Sequence, residues 1–232
     1  MFANLTAVFS SRSPCTRRKG LEHSKTRPTL EALESRMMLH SAVLNNGVLT
    51  LTGTASADYT SVVIHTHGTP WTWDDEVKVD MSSGINHAHT FWFDYDDVFS
   101  IVFHGGLGND EFYNTTVLPS IALGGPGNDT LSGGRGADSL YGQDNTDRLL
   151  GNDGHDFLYG GGAVDDLFGG RGNDRLDGGH DDVFDNLTGG AGADIFVYHS
   201  VEDAWGYISH ILENVQDFNE GEGDTRLRIH HD

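Results

Sequence analysis

GGPGNDTLS (residues 124–132), GGRGADSLY (133–141), GQDNTDRLL (142–150), GNDGHDFLY (151–159), GGGAVDDLF (160–168) and GGRGNDRLD (169–177) follow one another without a gap. One nine-residue phrase is thus written six times, with a further copy before the run, GGLGNDEFY (105–113), and one after it, GGAGADIFV (189–197). The first six residues of each phrase are rich in Gly, Asn and Asp, which tolerate left-handed backbone and form turns. The last three make a short strand around one apolar side chain: Phe112, Leu131, Leu140, Leu149, Leu158, Leu167, Leu176 or Phe196. A three-residue strand buries nothing alone. Stacked on copies of itself, it builds a continuous apolar interior while each strand pairs with those above and below. A flexible Gly/Asp tract has no reason to place an apolar residue at every ninth position. The expected fold is all-β, a parallel β-roll (β-solenoid).

The sixth position of the phrase is Asp110, Asp129, Asp138, Asp147, Asp156, Asp165, Asp174 and Asp194. Stacking at about 4.8 Å per layer brings these carboxylates into columns of like charge that need a counter-ion. A hard divalent cation with six to eight oxygen ligands at roughly 2.3–2.6 Å, backbone carbonyls among them, meets that need, and calcium fits the description. Magnesium demands a tighter octahedron and keeps its waters, while zinc asks for Cys or His, of which these turns hold only His155.

The phrase resembles the RTX, or haemolysin-type calcium-binding, nonapeptide family, whose pattern is GGxGxDxUx. The resemblance implies a parallel β-roll with two repeats per coil and several Ca²⁺ ions, each held between the turn of one repeat and that of the next but one. It implies ligands from the sixth-position carboxylates named above and from turn residues Asn109, Gly125, Gly127, Asn128, Gly134, Gly136, Gly170, Gly172 and Asn173. Beyond Gly178 and Gly179 the phrase becomes GGHDDVFDNLT, which aligns Asp182 with the sixth position and Phe184 with the interior one. Gln143, Asn145, Asn152 and Ala163 replace expected glycines. Asn accepts positive φ, whereas Gln143 and Ala163 should strain their turns. NTTVLPSIAL (114–123) reads as a coil that lacks its own calcium turn and through which the roll continues.

The chain has 232 residues and a formal net charge of −21, which argues against nucleic acid and anionic membranes as partners. The charge is uneven: residues 1–36 carry seven Lys and Arg against three Glu, whereas 105–194 carry sixteen acids against four Arg. The acidic half is the cation-binding half. Cys15 is the sole cysteine, so no intramolecular disulfide staples the fold. No apolar run approaches the roughly 20 residues of a membrane span, so no membrane insertion is expected. The basic cluster Arg17, Arg18 and Lys19 follows the apolar start MFANLTAVF, the reverse of an ordinary signal peptide. LEALESRMMLHSA (30–42) resembles the LEPR-type motif found ahead of large surface and secreted proteins of planctomycetes and some other bacteria. Residues 1–42 are therefore expected to be a leader or sorting segment, disordered or a short helix.

Residues 43–104 alternate apolar and polar at period two in GVLTLTG (47–53), SVVIHTH (61–67), EVKVDM (76–81) and VFSIVFHG (98–105), which predicts a β-rich lead-in that covers the first edge of the roll. His65 and His67, and His87 and His89, are HxH pairs that could share a transition metal, although exposed strand histidines are the commoner outcome. Trp71, Trp73, Phe91, Trp92, Phe93 and Tyr95 could stack on sugars, but a cross-strand aromatic cluster explains them more simply. Residues 105–197 form the roll and 198–232 a C-terminal cap. In the cap Asp217, Phe218, Gly223 and Asp224 resemble the DF-x-x-x-x-GD ending of RTX arrays.

No His is followed by Glu, as HExxH requires, and no GxSxG elbow is present; residues 43–104 leave little room for a catalytic domain. The expected function is non-enzymatic: calcium binding by a secreted or cell-surface module whose roll folds on binding Ca²⁺. The alternative is a surface adhesin that meets a cell-envelope glycan or protein, or an accessory domain of an extracellular enzyme.

Overall fold

The computed structural model describes residues 40–66, 75–83, 87–181, 183–202, 208–210 and 214–231. Residues 1–39 of the expected 1–42 leader, with His67, Trp71, Trp73 and Asp182, lie outside the described residues, whereas Ser41 and Ala42 at its end belong to the first strand, where Ala42 is buried in the core. β1 (Ser41–Asn45) and β2 (Val48–Thr52) form a hairpin turning at Asn46 and Gly47, both at positive φ. β3 (Asp58–His65), β4 (Glu76–Ser83) and β5 (His87–Asp94) form an antiparallel meander. A short 3-10 turn (Tyr95–Asp97), capped by the Asp94 carboxylate accepting the N–H of Asp96, leads into β6 (Ser100–His104). There follow β7 (Glu111–Asn114), β8 (Ser120–Pro126), β9 (Thr130–Gly134), β10 (Ser139–Asp144), β11 (Arg148–Asp153), β12 (Phe157–Gly162), β13 (Asp166–Arg171), β14 (Arg175–Asp177), β15 (Asn186–Ala191) and β16 (Ile195–Glu202). The last strands are β17 (Ile208–His210), β18 (Asn214–Val215) and β19 (Thr225–His231).

From β6 to β16 successive strands fall in opposite sheets, and each pairs in parallel with the strand two places on. One sheet runs β1-β2-β6-β8-β10-β12-β14-β16-β17, with β19 also on β16; the other runs β18-β15-β13-β11-β9-β7-β3-β4-β5. Only a coil of two phrases per turn satisfies that order, so the chain is an all-β parallel β-solenoid. The parallel stack starts inside the lead-in region, where β2 pairs with β6 and β3 with β7. The antiparallel strands β1 and β4–β5 then cover the first edges, which otherwise would offer unpaired backbone to another chain. β5 and β1 lie outside the four alternating segments; in β5, Phe91 and Phe93 face Val79 and Val77 across the ladder and pack on the core.

The interior is the eighth-position column. Leu140, Leu158 and Leu176 are register partners in one sheet, and Leu131, Leu149 and Leu167 in the other, all fully buried. Each such side chain contributes about 1.5–3 kcal/mol through burial. The roll runs through NTTVLPSIAL: β8 pairs with both β6 and β10, and Ala122 lies in the interior column beside Leu140. Side chains replace the missing glycine turn there. Asn114 Oδ1 accepts the N–H and the hydroxyl of Thr116, and Asn114 Nδ2 donates to the Leu118 carbonyl.

The irregular layer differs from the expected alignment. Leu187, not Phe184, fills the interior column opposite Leu167, and Asp185 takes the buried sixth position; Phe184 is 60 % exposed. Register explains the correction. Asn186 pairs with Asp166, twenty residues earlier rather than eighteen, so the two extra residues are extruded into the turn, where nothing need be buried. Asp181 braces the extrusion by accepting the N–H groups of Ala163 and Val183.

Four positions in three phrases lack the glycine and keep its conformation: φ is 86° at Gln143, 76° at Asn145, 77° at Asn152 and 78° at Ala163. Left-handed backbone costs a residue with a Cβ on the order of 1 kcal/mol or more. Ala163→Gly and Gln143→Gly are each expected to stabilise the calcium-loaded roll by about 1 kcal/mol, read as a raised denaturant midpoint; Asn152→Gly should gain less.

Candidate metal centre

The glycine turn delivers its sixth residue pointing inward, at the corner between turn and strand. Asp110, Asp129, Asp138, Asp147, Asp156, Asp165, Asp174 and Asp194 are at most 3 % exposed there. They form two ladders, one at each corner of the coil. In the first, the N–H of Asp58 donates to Asp110 Oδ1, that of Asp110 to Asp129, of Asp129 to Asp147, and of Asp147 to Asp165, each at 2.7 Å; Asp165 donates to Asp185 at 2.8 Å. In the second, Ser120 donates to Asp138, Asp138 to Asp156, Asp156 to Asp174, Asp174 to Asp194 and Asp194 to Asp224, at 2.6–3.0 Å. One carboxylate oxygen of each layer is thus held by the peptide of the layer before it.

The other oxygen is bare. Among the described residues, Oδ2 of all eight expected aspartates is buried with no hydrogen-bond partner. An orphaned buried carboxylate oxygen is costly and calls for a cation. The first glycine of each phrase shows what else points the same way. A Cβ at Gly105 would meet Asp110 Oδ2 and the Gly124 carbonyl oxygen, both at 2.5 Å; one at Gly169 would meet Asp174 Oδ2 at 2.5 Å and the Gly189 carbonyl at 2.6 Å. Gly124, Gly142, Gly151 and Gly160 repeat the arrangement with Asp129, Asp147, Asp156 and Asp165 and the carbonyls of Gly142, Gly160, Gly169 and Gly178. Beside each of these glycines a carboxylate oxygen and a carbonyl oxygen from the next coil converge. Among the described residues no three His, Cys, Asp or Glu side chains gather at one point, so an ion held here draws on carbonyls as well as carboxylates. That all-oxygen donor set fits calcium.

The other expected residues are placed differently. Gly125, Gly127, Gly134, Gly170 and Gly172 shape the turns at positive φ, whereas Gly136 does not and is needed because Pro119 packs against it at 2.8 Å from where a Cβ would sit. Asn109, Asn128 and Asn173 use their side-chain oxygens on the next layer, accepting the N–H groups of Asn128, Thr146 and Ala193 at 2.9, 3.3 and 2.9 Å. Three aspartates of the ladders were not anticipated. Asp58 follows Gly53 at the spacing of the phrase in GTASADYT, Asp185 is displaced by the insertion, and Asp224 ends GEGD; a search for Gly and Asp five residues apart finds the first.

Burial pushes the carboxyls far above their ordinary 3.8: Asp165 to about 8, Asp110, Asp147 and Asp156 to about 7, Asp129, Asp138 and Asp194 to about 6, with Asp174 also raised. The accepted N–H pulls each back, and neighbouring carboxylates, such as Asp147 and Asp185 around Asp165, push further up. Each ladder is therefore short of positive charge.

Comparison with known proteins agrees with this geometry. A sequence model described as the RTX calcium-binding nonapeptide repeat matches in four copies, over residues 123–158, 159–196 and 184–200. No curated protein and no solved structure matches the chain. Among the described residues no helix is long and apolar enough to cross a membrane. With the coil, the aspartate ladders and the family match in agreement, residues 123–200 are a run of RTX calcium-binding nonapeptide repeats folded as a β-roll.

Proposed function

We propose that this chain is a secreted or cell-surface structural module, without catalysis of its own, whose roll folds on binding several calcium ions. The observation that carries the reading is the set of eight buried aspartate oxygens without a partner. In this reading Asp110, Asp129, Asp147 and Asp165 at one corner, and Asp138, Asp156, Asp174 and Asp194 at the other, hold the ions together with turn carbonyls. Calcium supplies the positive charge that lets the ladders stay ionised. The chain's part is to present oxygens at fixed spacing and exclude water from the corners. In a calcium-poor cytoplasm, carboxylate repulsion and glycine entropy favour the open, exportable chain. Outside, calcium above the roughly 10⁻⁴–10⁻³ M typical of extracellular modules turns binding free energy into folding free energy.

Calcium titration of the full chain at pH 8, followed by circular dichroism and calorimetry, tests the proposal. The parent is expected to fold cooperatively with more than one ion bound. Asp138→Ala and Asp174→Ala should each bind fewer ions and move the folding midpoint to several-fold higher calcium. A roll fully folded in excess chelator, or variants that titrate like the parent, would overturn it.

A further inference from the structure

At the N-terminal end of the solenoid, two imidazoles carry nitrogens that none of the described residues satisfies. His40 precedes β1 at the edge of one sheet and is 7 % exposed; His89 lies on β5 at the edge of the other. His40 Nε2 is 2.8 Å from Asp58 Oδ1. A carboxylate only accepts, so Nε2 carries a proton, and in the neutral imidazole Nδ1 is then the nitrogen with the lone pair. Among the described residues, both His40 Nδ1 and His89 Nδ1 are buried without a hydrogen-bond partner. The centres of the two rings lie 6.0 Å apart, with their planes tilted by 60°. Two imidazoles that bind one ion through nitrogens about 2.0–2.1 Å from it have ring centres roughly 5–6.5 Å apart.

We propose that His40 and His89 bind a divalent transition-metal ion of the zinc class, at a site distinct in ligand chemistry from the calcium turns and adjoining the first ladder residue, Asp58. Imidazole nitrogen suits Zn²⁺ and not Ca²⁺. The Asp58 carboxylate behind His40 is the outer partner that fixes a ligating histidine's tautomer and orientation. With two protein ligands, water completes the coordination. The ion ties the edge of one sheet to the edge of the other and, through Asp58, braces the first rung of the aspartate ladder, whose N–H is bound to Asp110.

The test is Zn²⁺ titration of the full chain saturated with calcium, read by imidazole ¹⁵N chemical shifts and by thermal unfolding. The expected result is that the Nδ1 signals of His40 and His89 shift together and the melting temperature rises. His89→Ala, on a half-buried edge-strand position, should weaken this binding at least tenfold while circular dichroism in calcium shows an unchanged roll. His40→Ala should do the same, and Asp58→Asn should weaken it about tenfold. Zn²⁺ that shifts only other histidines, or that binds the His89→Ala chain as tightly as the parent, overturns the proposal. Failure here leaves the calcium reading intact, since that depends on a separate titration.

Discussion

With calcium chelated, acidification from pH 8 to pH 5 is expected to increase the folded fraction of the roll, the reverse of ordinary acid denaturation. The sign follows from the direction of the carboxyl shifts. Each sixth-position Asp has a folded value raised from 3.8, to about 8 at Asp165 and about 6 at Asp129. Between those limits the metal-free folded state binds more protons than the unfolded chain, so stability falls as pH rises. The contribution is full below about pH 4 and is lost as pH climbs through the window from about 6 to 8. Protons here substitute for calcium by removing the buried charge. Circular dichroism in chelator across pH 5–8 measures the slope, and saturating calcium should nearly abolish it. Asp129→Asn, Asp147→Asn and Asp165→Asn combined should flatten it, because Asn still offers an oxygen to the N–H of the previous layer. A metal-free roll that loses structure on going from pH 8 to pH 5 would contradict the account of the ladders.

The second large effect is expected from one methyl group. Gly160→Ala places a Cβ against Asp165 Oδ2 and 2.5 Å from the Gly178 carbonyl oxygen. Neither neighbour can withdraw. The carboxylate is held through its other oxygen by the Asp147 N–H, and the carbonyl accepts the N–H of Gly161 at 2.7 Å. Overpacking against fixed groups costs about 1–3 kcal/mol, and this variant should sit at the upper end because backbone is struck. It should also raise the calcium needed for folding several-fold, since the added methyl fills the space between two of the oxygens. Gly162→Ala is the matched control two residues on. Its Cβ has a single neighbour, Gln143 O at 3.8 Å, and its φ is not left-handed. It should be neutral or stabilise by about 0.4–1 kcal/mol through the unfolded chain. Paired calcium titrations monitored by circular dichroism separate the two; equal midpoints would show that the first-position glycine is not required by the carboxylate.

The coil itself was written in the chain. An apolar residue at every ninth position, preceded by a turn that only Gly, Asn and Asp tolerate, admits one economical burial scheme, and Leu131 to Leu176 occupy it as expected. The same spacing placed the eight carboxylates at the corners, because an inward turn residue follows from the strand it leads. Phe184 shows where local pattern stops. Whether Asp182 or Asp185 closes the irregular layer depends on which register lets β15 continue the ladder of β13, and that is settled by pairing across the sheet, not by spacing along the chain. The direction of the carboxylates was likewise a tertiary outcome. One oxygen is captured by a peptide eighteen to fifty-two residues away, which leaves the other bare beside the first-position glycine, a residue whose role along the chain looked like flexibility and is in fact room. The His40–His89 pair lies furthest from any motif. Forty-nine residues apart in the chain, the two rings meet only because the first strand of one sheet and the last of the other close the same end of the coil.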